Sequence, residues 1–104
     1  DDVHVVRSLV QETLFNASDR FILTNDAIAA AGLGTGEFPF GDMTISVKDG
    51  QARRLDGTLA GGIGNLDRSL EIVAELGLTE ADALASVTTR PAELIGLNYQ
   101  EILV

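Results

Sequence analysis

One carboxylate in this chain stands where an enzyme would place an acid or a base. Asp26 follows the short apolar segment Phe21–Leu23 and precedes a loop of small residues. Such a segment predicts a core strand, and barrel enzymes carry their catalytic side chains at the C-terminal ends of their strands. A carboxylate there could accept and release a proton. Taken alone, the residues favour the simpler role of capping the next turn.

The only histidine, His4, is the second residue that could contact a small molecule. Its imidazole can donate a hydrogen bond to a hydroxyl or carbonyl oxygen. It stands near the start of the sequence, where fraying is common, so a surface histidine without a role is the alternative.

Two glycine-rich runs resemble phosphate-binding loops at first sight. Gly32, Gly34 and Gly36 lack the lysine of a P-loop and the spacing of a dinucleotide fingerprint, so loop flexibility explains them better. Gly61–Gly64 precedes a predicted helix and could offer backbone N–H groups to an anion. A plain turn is the preferred interpretation.

The elements that must position these residues begin with a helix and a strand. Apolar residues at helical spacing predict an amphipathic helix over Val5–Phe15, and Phe21–Thr24 is predicted as a strand. Alternation on both sides of Lys48–Gly50 predicts a β-hairpin over Phe38–Leu55, with Gly50 at positive φ. This order of elements favours the α/β class.

Further helices are predicted after the hairpin. Asn65 is a candidate N-cap for a helix that ends at Gly77, and Thr79–Asp82 has the shape of a capping box. Pro91–Gly96 begins with proline and ends with glycine, which predicts a last short helical turn. One central strand, one hairpin and three or four helices would leave strand edges unpaired, which indicates a fragment of a larger fold.

Composition excludes several classes of function. The 104 residues carry a net charge of −9, and only Arg53 and Arg54 are adjacent basic residues, which disfavours nucleic-acid binding. There is no cysteine, so thiolate chemistry is excluded and a cytoplasmic protein is predicted. No apolar run is long enough to span a bilayer, and the acidic start is unlike a signal peptide.

Six short motifs, taken together, give the sequence a family resemblance. They are His4–Val5, Thr24–Ala27, Ala30–Leu33, Val47–Gly50, Asp56–Gly61 and Arg90–Leu97. In this order and spacing they resemble the C-terminal third of the N-acetylglucosamine-6-phosphate deacetylases of the amidohydrolase superfamily. The resemblance covers residues 1–97 and leaves residues 98–104 as a tail outside it.

The resemblance implies a fold and a reaction. The fold class is α/β, a C-terminal fragment of a (β/α)8 amidohydrolase barrel with a β-hairpin insertion and three or four helices. The family hydrolyses the N-acetyl amide of an amino-sugar phosphate with metal-activated water. Asp26 then ends the eighth barrel strand and is the catalytic acid and base, while His4 contacts the sugar. Gly61, Gly62 and Ile63 fall where the family closes over the acetyl group.

Three departures from the family pattern affect these expectations. Asp2 stands where the family has glycine, and its charge would oppose an anionic sugar phosphate. Gly62–Asn65 replaces bulkier residues, which predicts a looser acetyl pocket, and Asn25 replaces a threonine with a mild effect. The family's metal ligands, a Glu and two His, have no counterpart in this sequence. The divalent metal, zinc or iron, therefore belongs to the parent enzyme, and this chain alone is expected to be inactive.

Two rival interpretations remain beside the deacetylase. A different amidohydrolase, such as a dihydroorotase-like enzyme, would keep Asp26 and use other substrate contacts. A non-catalytic module would cover its exposed strand edges by self-association. A homo-oligomer that binds neither nucleic acid nor membrane is expected.

Overall fold

The computed structural model describes residues 1–98, and residues 99–104 of the predicted tail lie outside the described part. The described residues form four helices and four strands. In chain order these are α1 (Arg7–Ala17), β1 (Gly36–Phe40), β2 (Met43–Lys48), β3 (Gln51–Arg54), β4 (Leu59–Gly61), α2 (Leu66–Glu75), α3 (Glu80–Val87) and α4 (Thr89–Leu94).

The chain divides into two compact units. The first consists of Asp1 with Asn25–Asn65 and contains the sheet. The second consists of Asp2–Thr24 and Leu66–Val104, and its described part contains the helices. Each unit has its own apolar core, so each can be described by itself.

The first unit is an antiparallel sheet in the order β1-β2-β3-β4. Ile45, Val47 and Ala52 point to one face of the two central strands, where they pack with Ala30 in a buried cluster. Alternate residues of a strand face opposite sides, so the neighbours of these three residues lie on the other face. Ile45 and Ala52 are completely buried, and the cluster fixes which face of the sheet is inside.

The predicted hairpin is confirmed between β2 and β3, but it covers Met43–Arg54 and not the whole predicted range Phe38–Leu55. Lys48 pairs with Gln51 across the two-residue turn Asp49–Gly50. Both turn residues have positive φ, 52° and 72°, which is the turn whose twist matches that of the strands. The residues Phe38–Phe40 belong to a separate edge strand, β1, where Pro39 can lack an N–H donor without breaking an inner ladder.

The core of the second unit is a buried apolar cluster from three helices. It consists of Leu14 of α1, Val73 of α2, Ala83 of α3 and Leu78, which lies just before α3. The helix ends follow the predicted chemistry. Thr79 caps α3 by accepting the N–H of Asp82. Gly77 has φ 102° and ends α2, while the N–H of Leu78 reaches back to the Val73 carbonyl, as in a Schellman motif.

The predicted strand Phe21–Thr24 is wrong for this structure. A strand needs a ladder of hydrogen bonds with a neighbour. In the described part of the chain this segment is extended without one, and the Leu23 N–H donates to the Ser86 carbonyl of α3 at 3.1 Å. Phe21 and Leu23 still pack against the core of the second unit. The apolar pattern therefore indicated burial correctly and strand pairing incorrectly.

Helix α1 exists but is not amphipathic in the predicted way. It begins at Arg7 rather than Val5, and Leu14 is its one buried residue. Leu9 and Phe15 are exposed, Phe15 to 89%. No helix in the described residues has the length and apolarity to cross a membrane.

Candidate functional site

Asp26 is held by a short parallel pairing with a segment 36 residues further along the sequence. The Gly62 N–H donates to the Asp26 carbonyl at 2.9 Å, and the Ile28 N–H donates to the Gly62 carbonyl at 3.0 Å. Ala27 and Gly62 form the corresponding parallel bridge. Asn25 adds a third contact, because its Nδ2 donates to the Gly64 carbonyl at 3.3 Å. The residues before and after Asp26 are thereby both tied to the segment 62–64.

Two glycines allow this close approach. A Cβ at Gly62 would lie 3.1 Å from the Asp26 carbonyl oxygen, and a Cβ at Gly61 would lie 2.5 Å from Ile28 Cγ2. Real Cβ contacts are longer, so a side chain at Gly61 would push the two segments apart. The departure from bulkier family residues at Gly62 is thus matched by a tight backbone contact in this chain.

Asp26 itself is exposed, as are Asn25 and Ala27, whereas Ile28, Gly61 and Gly62 are buried or half-buried. Gly62 is buried, Ile63 is half-buried, and Ile63 and Ile28 pack against the sheet core of the first unit. The arrangement presents one exposed carboxylate from a backbone that is paired with Gly62. The structure therefore brings Asp26, Gly61, Gly62 and Ile63 together.

His4 belongs to the other unit and is exposed. It lies in the segment between Asp2 and the start of α1 at Arg7. That segment is closed by an ion pair in which Arg7 Nε donates to Asp2 Oδ1 at 2.6 Å and Arg7 Nη2 donates to Asp2 Oδ2 at 2.9 Å. The paired forks of a guanidinium and a carboxylate make this a strongly directional contact.

The same ion pair extends to helix α2. Arg7 Nη1 donates to Glu75 Oε2 at 2.7 Å, and Arg68 Nη2 lies 3.6 Å from Asp2 Oδ2. The hydrogen bonds from Arg7 lower the pKa of the carboxyls of Asp2 and Glu75 below their ordinary values. Two guanidinium groups thus compensate the charge of Asp2. From the sequence alone, that charge was expected to oppose an anionic sugar phosphate.

The sequence does not point to Arg7, because its partners are not near it in a recognisable pattern. Asp2 and Arg7 are five positions apart in the sequence, and Glu75 is 68 positions from Arg7. The available signal was Asp2 itself, since an acidic residue in a position that favours glycine needs a compensating partner.

The described residues contain no group of three or more His, Cys, Asp or Glu side chains that could hold a metal ion. A catalytic zinc site needs about three protein ligands. The residues of the described chain therefore do not fit a metal site by themselves.

Comparisons with known proteins give a consistent picture. The chain is 33% identical over 104 residues to an N-acetylglucosamine-6-phosphate deacetylase of Caenorhabditis elegans, covering 97% of this chain and 25% of the relative. It is 30% identical over 83 residues to the N-acetylgalactosamine-6-phosphate deacetylase of Escherichia coli O157:H7, covering 79% and 22%. The chain is a homologue of part of these deacetylases. It spans about a quarter of their length.

The structural comparison agrees with this assignment. The crystal structure of N-acetylglucosamine-6-phosphate deacetylase from Pasteurella multocida matches with a TM-score of 0.83 at 30% identity. That match covers 93% of this chain and 26% of the other. No protein-family model matches the sequence. The predicted α/β class and the predicted relation to an amidohydrolase are confirmed, with an antiparallel four-stranded sheet and several helices as the observed form.

Proposed function

We propose that this chain is part of an amidohydrolase that removes the acetyl group from an amino-sugar phosphate. The observation that supports it best is the pairing of the Asp26 backbone with Gly62 and the close approach of Gly61, because together they give an exposed carboxylate a fixed place. The homology to deacetylases over nearly the whole chain supplies the reaction class.

Asp26 acts in this proposal as the proton carrier. Its carboxylate takes a proton from the attacking water as the C–O bond forms at the acetyl carbon, and the amide carbonyl becomes an oxyanion. The same proton then goes to the amide nitrogen as the C–N bond breaks. The oxyanion returns to a carbonyl in the same step, so acetic acid and the free amine of the sugar leave, and in water they exchange a proton to give acetate and an ammonium group. An exposed carboxylate on a rigid backbone suits both transfers, because the group must reach two atoms in turn.

The other site residues contact substrate in this proposal. His4 donates a hydrogen bond to a sugar hydroxyl or to the amide carbonyl. Gly61, Gly62 and Ile63 form the side of the site that faces the acetyl methyl group, where small residues leave room and Ile63 supplies apolar surface. The name of one relative contains glucosamine and that of another galactosamine, so the proposed substrate is an amino-sugar phosphate of either configuration.

The divalent metal of the proposal, zinc or iron, is assigned to residues beyond those described. The described residues contain no group of side chains that could hold the ion. It follows that the 104-residue chain alone is proposed to be inactive, and that the enzyme is the longer protein of which this chain would form about a quarter.

The partners and location in the proposal follow from composition. Self-association is supported by exposed apolar side chains such as Leu9 and Phe15 on α1. The absence of cysteine supports a cytoplasmic location. The dihydroorotase-like and purely non-catalytic alternatives are not favoured by the comparisons, whose named relatives are deacetylases.

The proton role is tested with Asp26→Asn in the full-length protein that contains this chain. An amide of the same shape cannot take up the proton, so kcat should fall by about 10²- to 10⁴-fold. Release of the free amine from each N-acetylated sugar phosphate measures the rate. Asp19→Asn, which removes another exposed carboxylate, is the matched control and should leave the rate unchanged. Near-normal turnover by Asp26→Asn would rule out the proton role.

A further inference from the structure

The segment that carries His4 is tied to helix α2 at both of its ends. Arg68 of α2 lies 3.6 Å from the Asp2 carboxylate at one end. Arg7, at the other end, donates to Glu75 of α2 at 2.7 Å. Arg7 and Asp2 also bind each other through two hydrogen bonds, which closes the loop of residues 2–7 around His4.

Asp2 adopts a backbone conformation that side chains rarely occupy. Its φ is 63°, in the left-handed region that glycine prefers and that Asp and Asn tolerate better than most residues. Such a conformation persists where surrounding contacts hold it. Here the contacts are the two guanidinium groups, which bind the carboxylate of Asp2 and so offset the strain of this turn.

We propose that Asp2 and Arg7 form a clamp that positions His4 for its contact with substrate. The proposal rests on the proposed function for the role of His4, and it makes Arg7 a positioning residue, since Arg7 acts through His4. Arg7 can serve this role because its planar fork binds Asp2 through two atoms and still has a nitrogen free for Glu75. A lysine has one charged nitrogen and could not hold both partners in this geometry.

The first test reads the conformation of His4 without any activity. Because His4 is the only histidine, its ring gives a single set of NMR signals. Arg7→Gln and Asp2→Asn should each move these signals toward the values of an unstructured histidine. Asn keeps the tolerance for positive φ, so Asp2→Asn removes only the charge. Arg20→Gln, an exposed arginine of the same unit, is the matched control and should not move them.

The salt dependence of the His4 signals is a second test of the clamp. At about 1 M salt the Debye length falls to about 3 Å, so exposed ion pairs weaken. The His4 signals of the unmodified chain should then shift in the direction of Arg7→Gln, and those of Arg7→Gln should respond little. Signals that stay in place in Arg7→Gln, in Asp2→Asn and in high salt would overturn the clamp.

The second test uses kinetics in the full-length protein. Arg7→Gln should raise KM for the amino-sugar phosphate about twofold to fivefold, the range expected for an exposed ion pair, with kcat nearly unchanged. Arg7→Lys should give a smaller rise, and Arg20→Gln none. In a His4→Ala background, Arg7→Gln should add nothing further, and an additive effect would contradict action through His4.

The two tests separate the two proposals. If the full-length protein does not deacetylate any amino-sugar phosphate, the proposed function fails while the NMR result still decides whether the clamp holds His4. If deacetylation is normal and the His4 signals ignore Arg7, the clamp fails while the proposed function stands. Should Arg7→Gln lose helical structure by circular dichroism, Asp2→Asn decides the question, since it leaves the Arg7–Glu75 contact intact.

Discussion

Asp26 owes its fixed position to glycines that are remote from it in the sequence. The Gly62 N–H and carbonyl pair with the backbone on either side of Ala27, and Gly61 faces Ile28. A side chain at Gly61 would have its Cβ 2.5 Å from Ile28 Cγ2 and would need φ near 155°. The requirement for glycine therefore comes from packing as well as from backbone conformation.

Gly61→Ala should destabilise the first unit by about 1–3 kcal/mol, the usual cost of forcing an extra carbon into a packed site. Gly64→Ala is the matched control, because its backbone is not left-handed and the nearest atom to its Cβ, Asp1 Cβ, is 3.9 Å away. Urea unfolding of the two variants, followed by hydrogen exchange of the sheet amides, compares them. Equal stability of the two variants would show that the close contact at Gly61 relaxes freely.

The sequence identified these site residues only in part. Asp26 could be selected because an acid after an apolar segment is conspicuous, and Gly61–Ile63 followed from the family resemblance. Their pairing with each other could not be derived, because a parallel contact across 36 residues depends on the sheet between them. The sequence pattern did not identify Arg7 for the same reason, since its partner Glu75 lies on another helix.

Helices α1 and α2 are joined at the surface by an ion-pair cluster. Its members are Asp2, Arg7, Arg68, Glu71 and Glu75. The pKa values of the Asp2 and Glu75 carboxyls are lowered chiefly by hydrogen bonds from Arg7. The nearby charge of Arg68 lowers both pKa values further. Side chains of this cluster are between about one third and two thirds exposed, so salt weakens it.

The cluster should give the second unit an acid-sensitive stability. The folded pKa values of Asp2 and Glu75 lie below their ordinary values, so their contribution is complete above about pH 4.5 and is lost as pH falls through the depressed values. The thermal unfolding midpoint should therefore decrease when the pH is lowered below about 4.5. The decrease should be smaller in Arg7→Gln than in Arg20→Gln.

Asp56 should contribute an acid response that is the same in both arginine variants. Its pKa is also lowered, chiefly because the Thr58 N–H and hydroxyl donate to its carboxylate, and neither arginine substitution touches that turn. An equal acid response in Arg7→Gln and Arg20→Gln would mean that the cluster adds no stability.

Prediction of the elements succeeded where the signal is local. The β2–β3 hairpin, the Thr79 cap and the Gly77 stop all depend on residues within one turn, and all three are confirmed. The strand Phe21–Thr24 failed because strand formation needs a partner, which no local pattern supplies. Edge strand β1 was missed in part because Pro39 argues against a strand, although Phe38 and Phe40 alternate as a strand requires.

Helix α1 shows why this chain differs from a self-sufficient domain. Leu14 is buried in the core of the second unit, while Phe15, about 100° further round the helix, is 89% exposed. Leu9 is also exposed, so apolar residues occupy several sides of the helix. Large apolar side chains that remain exposed on more than one side of a helix are typical of a surface that contacts other protein. This agrees with a chain that spans about a quarter of its relatives.

Self-association of the 104-residue chain should follow from these uncovered side chains. The net charge of −9 opposes contact between copies, so added salt should strengthen association rather than weaken it. Sedimentation velocity across a wide range of concentrations measures this. Phe15→Gln should shift the chain toward monomer. Leu55→Gln, which alters a similarly exposed residue in the turn after β3, should have the smaller effect, because an isolated apolar residue is normal on a surface. A monomer at every concentration and salt would contradict self-association and leave the longer protein as the cover for α1.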